Sequence, residues 1–213
     1  MSNYIHHAVK EKGENIWIAQ REGRAKDSDD RTQESVLKML GYGGDIRELN
    51  IVPLTISYEF DPCDYLKAKE FQLKRDNPAY KKSKQDDLDN MKTGIMGYKG
   101  RIHYECAPCI NTWLEELQEL PKTEFYAEVA KRIDREIHSG YKLFPCNYIA
   151  LDMLNSSKAN VEHYTDEDVK RFEKYLDDQL GKIDIPEKDE PFLRQCMLTM
   201  YANPAKNKMA LKS

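Results

Sequence analysis

No stretch of this 213-residue sequence approaches the roughly 20 consecutive apolar residues that span a bilayer. The opening Met1-Ser-Asn-Tyr-Ile-His-His7 has no basic region followed by an apolar one, the mark of a secretory signal. Together these absences predict a chain that is neither secreted nor membrane-spanning, set in the cytoplasm, with peripheral contact at the inner membrane face as its nearest approach to lipid. An excess of positive charge is lacking too. Lys and Arg number 33 against 37 Asp and Glu, a net charge of −4, so there is no global electrostatic footprint for nucleic acid. Cysteine is sparse and odd in number: Cys63, Cys106, Cys109, Cys146 and Cys196 stand at irregular spacings, which argues against a disulfide framework and for a reducing compartment. No internal repeat or low-complexity segment is present.

What is there describes a folded chain. Charged residues make up 33 %, yet 40 % hydrophobic content and thirteen tyrosines provide enough apolar surface for a core. Before Pro121, strand-like runs alternate with helical ones. Helices are expected over residues 4–12, 32–40 and 63–74, and strands over 15–19, 51–58 and 101–106. The Asp30-x-x-Gln33 spacing fits a helix start and Gly41, Gly43 and Gly44 fit its end. Alternation of this kind predicts an α/β layered sheet with parallel strands. Beyond Pro121 the pattern is helical, with three- and four-residue apolar steps over 125–137 and further helices over 166–180 and 190–201. The expected organisation is an α/β part over 1–120 and a helical C-terminal extension over 121–213.

The most informative stretch is Ile16-Trp-Ile-Ala-Gln-Arg-Glu-Gly-Arg-Ala-Lys-Asp27, an apolar run leading into a charged loop. In parallel α/β sheets ligands bind beyond the carboxyl ends of strands. There Gly23 lets backbone approach a ligand closely, Arg24 offers a forked donor that matches phosphate oxygens, and Arg21 and Lys26 add positive charge. A second apolar run, Leu49-Asn-Ile-Val-Pro-Leu-Thr-Ile-Ser-Tyr58, follows with Pro53 near its start.

A strand ending in Glu22-Gly23-Arg24, a helix and then a Val52-Pro53 strand resembles the later half of the glycerolipid acyltransferases, the phospholipid and glycerol-phosphate type. The resemblance covers roughly residues 4–60 by motif. It implies that Glu22 and Gly23 belong to the block that binds the glycerol-phosphate acceptor. The family's arginine place in that block holds Ala25, which leaves phosphate contact to Arg24 or Lys26. Pro53 would shape the wall beside the acyl donor or acceptor. The implied activity is transfer of an acyl group from a thioester of coenzyme A or acyl carrier protein to a glycerol-phosphate or lysolipid acceptor, with no further cofactor. In the family a histidine in a preceding His-x-x-x-x-Asp block is the general base and the aspartate orients it. No such block precedes Glu22, so the chain is expected to be a truncated form, inactive alone.

Other motifs compete with this reading. His163-Tyr-Thr-Asp-Glu-Asp168 spells the missing block far downstream, where Thr165 and Asp168 make better sense as a helix cap. Cys106-Ala-Pro-Cys109 could be a redox couple or half a zinc site, with His103, Cys63 and Cys146 as further ligands. Asp27-Ser-Asp-Asp30 lacks the glycine and ligand spacing of a calcium loop and reads as an acidic turn leading a helix. Leu66-Lys-Ala-Lys-Glu-Phe-Gln-Leu-Lys-Arg75, continued by Tyr80-Lys-Lys-Ser-Lys84, is the strongest basic run, a solvated helix face or a dock for anionic headgroups or an acidic carrier protein. The alternatives to an acyltransferase are a non-catalytic phosphate- or lipid-binding module of the same fold and a cysteine-based zinc or redox protein.

Overall fold

The computed structural model describes residues 1–21 and 25–211. In chain order the elements are α1 (Ser2–Lys10), α2 (Glu34–Tyr42), β1 (Leu54–Tyr58), α3 (Asp64–Asp76), α4 (Lys84–Met96), β2 (Ile102–Cys106), α5 (Asn111–Leu114), α6 (Lys122–Gly140), α7 (Pro145–Asn155), α8 (Asp166–Leu180) and α9 (Glu190–Ala210). The chain is mostly helical. Its described sheet consists of β1 and β2 alone, paired antiparallel, with Ala107 N–H donating to Pro53 O and Glu59 N–H to Arg101 O, both at 2.9 Å.

That sheet corrects the expectation of parallel strands. The run over 15–19 does not join the sheet: these residues form no strand and are exposed, Trp17 at 72 %. β-propensity acts through a partner and a packed face, and this run has neither. The run ending at Tyr58 is likewise not buried on both faces. In β1 the buried positions are Thr55 and Ser57, while Leu54 and Ile56 are half-buried. Polar side chains face inward because they find partners there. Thr55 Oγ1 donates to Ile137 O at 2.9 Å, and Ser57 Oγ accepts from Lys142 N at 3.1 Å.

The chain divides into two units. One comprises residues 1–25, 30–56 and 104–141, the other 26–29, 57–103 and 142–213. In the first, Ile5 and Ala8 of α1, Leu37 and Leu40 of α2, and Val129 and Ile133 of α6 are buried. His6 of α1 is buried as well, and its Nε2 lies 2.8 Å from Leu40 O. Helix α2 begins at Glu34 with Gln33 as N-cap, four residues after Asp30. Asp134 of α6 takes the N–H and hydroxyl of Thr32 at 2.8 and 2.6 Å, which fixes the approach to that helix. Pro121, where the composition changes, is the N-cap of α6.

Close packing in this unit gives a direct test. A Cβ at Gly140 would sit 2.7 Å from Thr55 Oγ1 and 3.1 Å from Thr55 Cβ, and neither position is free to open toward solvent. Gly140→Ala is therefore expected to cost about 1–3 kcal/mol by overpacking, read from urea unfolding. A loss below about 0.5 kcal/mol would show that β1 shifts freely here.

The second unit is built on α7, α8 and α9 with α3 beside them. Phe172, Leu176 and Leu180 of α8 recur at i, i+4 and i+8, the spacing of one helix face, and are buried with Ile149 of α7 and Leu193 and Met197 of α9. Pro145 starts α7 at its first turn, where its missing N–H costs nothing. Thr165 caps α8 in a reciprocal box with Asp168, accepting from Asp168 N at 3.2 Å while Asp168 accepts from Thr165 N at 2.9 Å.

Candidate functional site

In the second unit a single carboxylate gathers much of the basic run. Glu70 lies in the middle of α3, where its side chain points inward and only 3 % of the residue is exposed. Lys74, one turn on, reaches its Oε1 at 2.9 Å, Lys82 reaches Oε2 at 2.8 Å, and Lys26 also bonds Oε1. Burial alone would raise the Glu70 carboxyl. The hydrogen bonds from Lys26, Lys82 and Lys74 outweigh it and hold the group down at about 2. Lys26 is pulled the other way: its own burial lowers its ammonium, with Lys74 adding to that and Glu70 opposing. Lys74 is raised, first by its hydrogen bond to Glu70. Three ammonium groups against one carboxylate leave two positive charges uncompensated within the cluster.

Lys26 is held in place by the turn that carries it. Asp29 N–H closes on Asp27 Oδ1 at 3.2 Å, and Ser28 takes the left-handed conformation at φ 60°. Two asparagines one turn apart on α9 pin that turn: Asn203 Nδ2 donates to Asp27 O at 2.8 Å and Asn207 Nδ2 to Asp29 Oδ1 at 2.9 Å. The acidic Asp27–Asp30 segment is thus a clasped turn that stops short of α2.

Of the residues expected at the site, Glu22, Gly23 and Arg24 lie outside the described residues. Arg21 is half-buried, and its Nε is enclosed with no hydrogen-bond partner among the described residues. Pro53 is buried at the entry to β1. Lys26 is brought to Glu70, a partner 44 residues away that sequence reasoning had placed in a separate basic run. Lys74 and Lys82 were visible there as charges, but no local pattern signals that they converge.

The downstream His163–Asp168 box does not form a dyad. His163 stacks on Tyr148 at 4.1 Å between ring centroids, and the Asp168 carboxylate is engaged by Thr165. The cysteines are not gathered into a metal site either: no group of three or more His, Cys, Asp or Glu that could hold a metal ion comes together among the described residues. Cys146 donates to Glu59 O at 3.0 Å, and burial pushes its thiol up to about 12, far from the thiolate that metal binding or exchange requires. No described helix is long and apolar enough to cross a membrane.

Two further polar clusters are structural in form. Asp64 is fully buried and accepts from Tyr201 Oη at 2.7 Å, Tyr175 Oη at 2.9 Å and Gln179 Nε2 at 2.6 Å. Asp152 takes Ser157, Asn160 and Tyr164 at 2.7 to 3.0 Å, closing the chain between α7 and α8. In the first unit an open groove of about 350 Å³ runs between Gly44, Arg47, Leu114 and Tyr126. Arg47 there already holds Asp45 at 2.5 Å, so its charge is spent.

Compared with protein-family models, with curated proteins and with solved structures, the chain matches none.

Proposed function

We propose that this chain is the acceptor-binding part of an acyltransferase of the phospholipid and glycerol-phosphate type, and that the lysine cluster around Glu70 takes the acceptor's phosphate. The observation that carries this reading is the position of Lys26. It follows the Glu22-Gly23-Arg24 block by two residues, and it meets Lys74 and Lys82 on one buried carboxylate. The three lysine side chains remain partly exposed, so their free donors can reach an anion from solvent. A phosphate oxygen suits such a set because each ammonium keeps donors beyond the one given to Glu70. In this reading the thioester donor and the general base are met elsewhere, since His163 and Asp168 are each engaged apart from one another. The chain alone then binds acceptor without transferring acyl groups. That same disposition supports a second reading, a non-catalytic phosphate-binding module of the same origin.

Calorimetric titration with glycerol 3-phosphate, with glycerol as control, tests the site. The wild-type chain is expected to bind the phosphate ester and not glycerol. Lys26→Gln, which leaves Glu70 with two lysines, is expected to weaken binding roughly tenfold, the scale of one charge-assisted hydrogen bond. Equal affinity in the variant would remove the cluster from the site, and turnover of a thioester by the chain alone would remove the division of labour.

A further inference from the structure

Helix α4 is amphipathic in the wrong direction for a helix that serves only to fill a core. Its inner face is small and polar. Asn90 is its one buried residue, and the carbonyl of Asn90 accepts from Cys63 Sγ at 3.4 Å. A Cβ at Gly94 would lie 3.5 Å from Cys63 Sγ, and one at Gly97, just past the helix, only 2.3 Å from Pro62 Cβ. The outer face carries the bulk. Leu88, Met91 and Ile95, at i, i+3 and i+7, form one stripe and are 58 %, 54 % and 73 % exposed. At the C-terminal end Met96 and Tyr98 are exposed as well, with the Tyr98 ring stacked on Phe60 at 5.9 Å. A Ser83–Asp86 capping box fixes the start of the helix, and Lys99 Nζ donates to Ile95 O and Gly97 O at 3.1 and 2.9 Å to close its end. The stripe is therefore presented on a helix tied down at both ends.

We infer that this face of α4 is a docking surface for an anionic lipid bilayer, lying in the plane of the headgroups with Leu88, Met91 and Ile95 inserted. Charge complementarity selects this occupant. Between Leu66 and Lys99 there are nine basic side chains against five acidic ones, in a chain whose net charge is −4; Lys67, Lys74, Arg75 and Lys82 are held in ion pairs, which leaves Lys69, Lys81, Lys84, Lys92 and Lys99 against Asp86, Asp87 and Asp89. Lys84 lies on the same side of the helix as the stripe, Lys92 flanks it on one side and Asp87 on the other, and Lys81 precedes it; the three lysines outnumber the one carboxylate. Lys81, Lys84 and Lys92 are exposed and carry no ion pair among the described residues. An apolar stripe with three such lysines and one carboxylate about it, on a helix too short and polar to cross a membrane, is the pattern of interfacial binding, in which burial of the apolar face and attraction to anionic lipid act together. A second copy of the chain fits less well. A stable protein interface takes roughly 20–30 residues a side, and one stripe on a four-turn helix offers far fewer. The inference stands apart from the acyltransferase reading, because it uses none of the residues that touch Glu70 except through their charge.

Flotation of the full chain with vesicles tests it. Binding is expected to phosphatidylglycerol/phosphatidylcholine vesicles, to weaken with salt, and to be at background on phosphatidylcholine alone. L88E/I95E, at positions more than half exposed, should reduce bound protein tenfold or more with an unchanged circular dichroism spectrum. Replacing Lys81, Lys84 and Lys92 by Gln should weaken binding and flatten its salt dependence. The inference is overturned if wild-type protein stays unbound on anionic vesicles, if L88E/I95E binds as wild type does, or if sedimentation shows a dimer that those substitutions dissociate, which would assign the face to a second copy. Glycerol 3-phosphate affinity, measured on the same L88E/I95E protein, is expected to be unchanged, so failure here and failure of the lysine site are separately visible.

Discussion

Asp64→Ala is expected to destabilise the second unit by about 3 kcal/mol at neutral pH, the largest effect of any single substitution proposed, because it removes the buried carboxylate that three donors share and leaves them only Asp61 O and one another as acceptors. Tyr175, Tyr201 and Gln179 all give hydrogen bonds to this carboxylate, and the alanine leaves a cavity as well. The change should also alter the pH profile. Burial is the main cause that raises the Asp64 carboxyl to about 6, with the Asp61 charge adding to it and the tyrosine hydrogen bonds opposing. A carboxyl raised on folding favours the protonated folded state. The protonation-linked part of its contribution is therefore full below the unfolded value near 4 and is lost as pH rises through about 6, while the hydrogen bonds to the ionised carboxylate remain. Wild-type stability should show this decline between pH 4 and 6, and Asp64→Ala should lack it. Urea unfolding across that range decides the matter, and a variant within about 1 kcal/mol of wild type at pH 7 would mean that the tyrosines find other partners.

Glu70→Gln tests the lysine cluster from its centre. The substitution keeps the shape and removes the charge, so three ammonium groups face one another without an anion. A loss of about 2 kcal/mol at pH 7 is expected. Here the sign of the linkage is opposite to that of Asp64. The Glu70 carboxyl is held down at about 2 by the lysines, so its contribution is present above the unfolded value near 4.3 and disappears as pH falls toward 2. The gap between wild type and variant should close over that interval. The variant should also bind glycerol 3-phosphate more tightly than wild type, since the phosphate no longer competes with an internal carboxylate. Weaker binding in a folded variant would show that Glu70 itself presents the ligand.

Much of the helical framework could be read from the residues. Helix α8 runs over the span expected from its apolar period, and Thr165 with Asp168 caps it as the sequence suggests. Helix α3 begins one residue from its expected start, and α9 continues nine residues past its expected end, through Pro204. What was not legible has physical causes. Helix α4 turns its apolar residues away from the protein, so their spacing does not mark a core face. In α7 the signal was present, Pro145 at the first turn followed by Ile149, Ala150 and Leu151, but a short apolar run is ambiguous between strand and helix. The run over 15–19 has strand composition, and composition cannot supply a neighbouring strand. At the candidate site the charges were visible and their meeting was not, because Lys26, Lys74 and Lys82 are joined through Glu70 by tertiary contacts alone.

The two asparagines of α9 give the chain an unusual dependency. Lys26 stands near the beginning of the sequence, yet its turn is clasped by residues about 176 positions later. Between Asn203 and Asn207 lies Pro204, which withholds the N–H that Met200 O would otherwise receive within the helix. The clasp therefore sits on a helical stretch already short of one internal bond. Fraying of the final turns of α9 would release Asp27 and Asp29 and with them the lysine that completes the cluster. The last residues of the chain in this way set how firmly an early one is aimed.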